Sequence, residues 1–121
     1  MASPTKRQVQ ARVRVWRRRL GLTDWKFKVT FGPDSDDADA SCMAMPEYLY
    51  AHLHFDLSKI PGDEIDHYVA HECIHALVWP LANAAHTMAG GDQSKEEWVR
   101  TLEEALVTRL EKLFVAMTGE A

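Results

Sequence analysis

The chain is expected to form a small α+β domain: an N-terminal helix, a short, mostly antiparallel sheet of two or three strands, then two further helices. Three observations carry this expectation. Apolar residues recur with helical spacing over the first twenty positions. Strict apolar–polar alternation marks two later segments as strands. After residue 63, two long helical patterns fill most of the remaining chain. At 121 residues there is room for one modest core, so a single domain is expected over residues 1–121.

Thr5 to about Leu20 is the first helix. Val9, Val13, Trp16 and Leu20 fall on one face, arginines fill the other, and Gly21 is a plausible stop. Trp25–Phe31 alternates as a half-buried strand, and Gly32–Asp37, Ser35 included, reads as a loop. Ala38–Met45 is a weaker strand. Pro46-Glu47 turns the chain into Tyr48–Leu57, the clearest strand, with Leu49, Ala51, Leu53, Phe55 and Leu57 on one face. Tyr48, Tyr50, His52, His54 and Asp56 form its polar face.

Ser58–Asp63 leads into a helix from about Asp63 to Trp79, where Pro80 should end it. Asn83–Gln93 is expected to be a loop. Ser94 and Glu97 then form a capping box for a last helix reaching about Met117. Its apolar stripe is expected at Val99, Leu102, Leu106, Val107, Leu110, Leu113 and Phe114.

Composition excludes several classes. No apolar run approaches the ~20 residues that span a bilayer. Lys6, Arg7, Arg12 and Arg14 interrupt anything resembling a signal peptide. Two cysteines, Cys42 and Cys73, do not make a disulfide framework, so a reducing cytoplasm is the expected setting. The net charge of −4 is unevenly spread: residues 1–31 hold nine Lys/Arg and one acid, Asp24, while residues 32–121 hold five and seventeen. The basic helix could bind nucleic acid or an acidic partner. The plainer reading pairs it with the acidic remainder of its own domain.

His71-Glu72-Cys73-Ile74-His75 names a chemistry. It matches H-E-x-x-H, and positions i and i+4 share one helix face, so two imidazoles can converge on one zinc ion. Glu72 then lies within reach of water at that ion. His67 extends the row but lies ~12 Å from His75 along the axis, too far to share the ion. A catalytic site needs a third protein ligand, and the last helix offers Glu103 and Glu104. Glu103 sits within the apolar stripe, where a carboxylate needs a partner, and is the preferred ligand. His52, His54 and His86 are rival ligands. The polar face of Tyr48–Leu57 is expected to be a substrate-facing edge near the metal, open to strand addition by a peptide; an ordinary solvated face is the alternative.

The motif, with Leu77, Trp79-Pro80 and the late Glu103-Glu104, resembles the minimal gluzincin-type zinc metallopeptidases of phages and their bacterial hosts. Leu20-Gly21-Leu22-Thr23-Asp24-Trp25 resembles their opening as well. The resemblance implies a minimal zincin-like domain in which His71, His75 and Glu103 bind Zn2+ and Glu72 is the general base. It also implies a peptide or protein substrate, and a host cytoplasm if a phage encodes the chain. Tyr68, His86 and His54 are candidates for a transition-state stabiliser, and no third histidine of the metzincin kind follows His75. The alternative function is a non-catalytic zinc-stabilised module that binds nucleic acid or an acidic partner through the Arg-rich helix. A mixed form, a protease acting on proteins bound to nucleic acid, would use both features.

Overall fold

A computed structural model describes residues 2–34 and 36–119, so Ser35 of the expected first loop lies outside the described residues. The architecture is α+β, with the expected helices at both ends of the sequence. Helix α1 spans Lys6–Arg19. Thr5 caps it, its hydroxyl accepting from Gln8 N while the Gln8 side chain reaches back to Thr5 N. Val9, Val13 and Trp16 are its buried face, as the spacing predicts.

Strands β1 (Lys26–Phe31), β2 (Ala40–Met45) and β3 (Tyr50–Phe55) form one sheet in the order β1-β3-β2. The sheet is mixed. β2 and β3 pair antiparallel, with Cys42 opposite Leu53, while β1 runs parallel to β3, with Val29 opposite Leu53. β3 is therefore the central strand and β2 is an edge. Ala51, Leu53 and Phe55 of β3 are fully buried and pack with residues of α1 and α2. Alternation puts His52 and His54 on the opposite face of the sheet.

Helix α2 covers Ile65–Ala89 and passes through Pro80 instead of ending at Trp79. Pro80 removes the amide that would bond to the Ala76 carbonyl, at a cost of about 3 kcal/mol. The compensation is packing: α2 makes its most extensive contact with α3, and Ala82 and Ala89, both beyond the proline, are buried. The expected loop at 83–93 shrinks to a tight turn. Gly90 and Gly91, at φ 62° and 82°, take a left-handed conformation that suits glycine. Asp92, not Ser94, caps α3 (Gln93–Thr118) by accepting from Lys95 N.

Two findings set the stage for the site. Asp66, in the first turn of α2, accepts from Arg12 Nε and Trp16 Nε1, both at 2.7 Å, and so ties α1 to the motif helix. The face that α3 turns inward is Val107, Glu111 and Val115, whereas Leu102, Leu106 and Leu113 of the expected stripe are exposed. The basic helix is also partly spent on its own domain. Arg17 donates to the carbonyls of Leu22 and Thr23, and Arg19 lies over the Trp16 ring.

Candidate metal centre

α2 and α3 form an antiparallel hairpin, which sets a row of histidines against a row of carboxylates. Glu111 lies as far after Ala89 as His67 lies before it, and the same holds for Glu103 and His75. The contacts follow this register. His75 Nδ1 is 2.8 Å from Glu103 Oε2, and His67 Nδ1 is 2.6 Å from Glu111 Oε2. His71 Nδ1 is 3.2 Å from Glu111 Oε1.

A carboxylate at Nδ1 of both motif histidines is the arrangement in which an imidazole donates from Nδ1 and can offer Nε2 to a metal ion. Both Nε2 atoms turn to the same residue. His71 Nε2 is 3.2 Å from Glu104 Oε2, and His75 Nε2 is 2.9 Å from Glu104 Oε1. His71, His75 and Glu104 form the one group of ligand atoms, among the described residues, in which all members lie within 4.8 Å of one another. Ligand atoms bonded to one tetrahedral zinc at 2.0–2.1 Å stand ~3.3 Å apart, and the two distances to Glu104, 3.2 and 2.9 Å, are close to that.

The geometry thus separates the two adjacent glutamates. Glu104 is brought to the Nε2 atoms, while Glu103, the expected third ligand, holds His75 from behind. Glu111 does the same for His71, and the sequence reading missed it. Its signal was present: Glu103, Val107 and Glu111 repeat at four-residue spacing, matching His67, His71 and His75 on the facing helix. His67 does not reach the ligand group; it shares Glu111 with His71.

Glu72 is buried at 6 % exposure. Burial first, then the Glu104 charge, pushes its carboxyl up to about 8. Beside it, Glu103, Glu104 and Glu111 surround the two imidazoles, negative charge that a divalent cation would neutralise, and the same cation would favour the ionised form of Glu72. Two nitrogens and one carboxylate oxygen are also a donor set zinc favours.

A cleft of about 540 Å³ opens on this group, lined by His71, Glu72, His75 and Glu104, with Trp79, His86 and Arg100 beyond them. Its opposite wall is Ala40, Ser41 and Cys42 of β2, the edge strand. A neighbouring hollow of about 280 Å³ continues past His71 and Glu72 to Tyr68, whose hydroxyl donates to Asp39 at 3.3 Å. Tyr68 and His86 therefore border the ligand group, His86 Nε2 standing 3.6 Å from Glu103 Oε1.

The polar face of β3 does not take the role expected of it. Thr30 Oγ1 lies 2.7 Å from both His52 Nε2 and His54 Nδ1, on the sheet face away from α2. His52 and His54 are thus separated from the motif histidines, and the strand edge beside the cleft belongs to β2. Both cysteines are free, and Cys73 is fully buried behind the motif. Comparisons of the chain with family models, curated proteins and solved structures found no match.

Proposed function

We propose that this chain is a zinc-dependent metallopeptidase in which His71, His75 and Glu104 hold the ion and Glu72 is the general base. The observation that carries the reading is the convergence of both Nε2 atoms on Glu104 while separate carboxylates fix both Nδ1 atoms. When bound, zinc lowers the pKa of its water towards ~7 and polarises the scissile carbonyl. Glu72 accepts the proton of the attacking water and delivers it to the leaving amine. Glu103 and Glu111 hold the imidazole rings in orientation and supply no chemistry of their own.

The cleft wall suggests how a substrate is held. β2 pairs with β3 on one side only, so an extended peptide can add to its free edge and lie over Glu72. Two free thiols and the lack, among the described residues, of a helix long and apolar enough to cross a membrane suit a cytoplasmic setting. The rival reading, a non-catalytic module with a nucleic-acid-binding helix, loses support because Arg12, Arg17 and Arg19 are engaged within the domain.

The test is turnover of a peptide library by the zinc-loaded protein and by Glu72→Gln. Cleavage by the wild type, lost in the variant while zinc stays bound, is the expected result. Equal cleavage by both proteins would remove Glu72 from the mechanism.

A further inference from the structure

Along the α2–α3 hairpin, the core runs on into solvent. Ala70 and Ile74 of α2 are buried in one cluster with Val9, Val13 and Trp16 of α1. The same helix face continues through Leu77, Leu81 and Met88, where α1 no longer covers it. The lengths explain why. α1 has 14 residues and α2 has 25, so α2 outruns it by roughly 16 Å at 1.5 Å per residue. Trp98, Leu102 and Leu106 of α3 extend the same surface at four-residue spacing.

These six side chains are 37 to 86 % exposed. At ~150–250 Å² for a large side chain, they present on the order of 700 Å². That exceeds the few hundred Å² a monomer ordinarily leaves bare and approaches the ~800 Å² that each partner gives to a standard interface. Between the two helices runs a groove of about 160 Å³, floored by small residues including Ala82 and Ala85 and rimmed by Leu81, Leu102 and Leu106. Glu103 is the groove's one ionisable residue, and His75 already holds it. The groove offers no free charge to a nucleic acid or an acidic peptide.

We propose that a second copy of this chain covers this face, the two hairpins packing about a two-fold axis as a four-helix bundle. A two-fold interface must carry both knobs and holes on the same patch. Here large rims flank a small-residue floor on one surface. Both clefts stay open, because the cleft and the groove share only Glu103 of their linings and the proposed contact rests on the leucines, Met88 and Trp98. The interface does not depend on the proposed zinc chemistry.

Sedimentation equilibrium of the full chain at micromolar concentrations tests it. The wild type is expected at twice the chain mass. Leu81→Glu with Leu102→Glu should give the monomer mass with unchanged circular dichroism. Met88→Lys with Trp98→Lys, at more exposed positions, should shift the equilibrium the same way. A wild-type monomer at tens of micromolar would overturn the proposal, as would a dimer that survives both folded double variants. A monomer that instead binds neutral lipid vesicles through these residues would assign the face to a membrane surface and also overturn it.

Discussion

At His71 and His75 the useful information is which ring nitrogen is already taken. Carboxylates on Nδ1 leave Nε2 for a ligand, so the neighbours of each ring say as much as the motif itself. The placement of His71 and His75 on one helix face, with Glu72 beside them, was legible because it depends only on helix geometry. Which of Glu103 and Glu104 meets the two Nε2 atoms was not. It depends on how α3 is rotated about its own axis, and the leucines at 102, 106 and 113 suggested a different rotation from the one observed. Glu103→Ala and Glu111→Ala are expected to weaken zinc binding about 10–100-fold, and Glu104→Ala to weaken it further. Competition against a chelator ranks the three; a larger loss for Glu103→Ala than for Glu104→Ala would return the ligand role to Glu103.

A second residue prediction concerns acid stability. Asp56 accepts from Ser58 Oγ at 2.6 Å and Ser58 N at 3.1 Å. Chiefly through the Ser58 hydroxyl, these bonds hold its carboxyl below the usual value of 3.8. A depressed carboxylate contributes stability above its unfolded pKa and loses it as pH falls through the folded one. Denaturant midpoints of the wild type should therefore fall more between about pH 5 and 3 than those of Asp56→Asn, and parallel curves would refute the assignment.

Among the elements, α2 departs furthest from its sequence signals. Pro80 is a sound local reason to end a helix, yet Ala82 and Ala89 are buried beyond it. Tertiary packing decides the outcome, and local signals cannot report it. Replacing Pro80 with Ala should raise the unfolding free energy by about 1–3 kcal/mol; thermal unfolding checks this, and a lower midpoint would mean that the ring itself is needed. The α1–α2 junction should respond in the other direction. Asp66→Ala removes the acceptor of two 2.7 Å bonds, and a loss of about 2 kcal/mol is expected. No loss would show that apolar contact alone docks α1.

Over the whole molecule, the fold class was readable but the sheet order was not. β1 and β3 announce themselves by alternation, whereas their parallel pairing joins residues far apart in sequence and leaves no local mark. That order matters to the site, because it makes β2 the edge facing the cleft, while alternation along β3 puts His52 and His54 behind the sheet. The charge asymmetry along the chain is likewise resolved in part within the fold, through Arg12 and Asp66.

The central claim is one zinc ion per chain on His71, His75 and Glu104, and the most direct measurement is a zinc titration of the metal-free protein. A single site that is lost in His71→Ala and in His75→Ala is the predicted result. A wild-type chain that takes up no zinc, or variants that bind it as tightly as the wild type, would contradict the account.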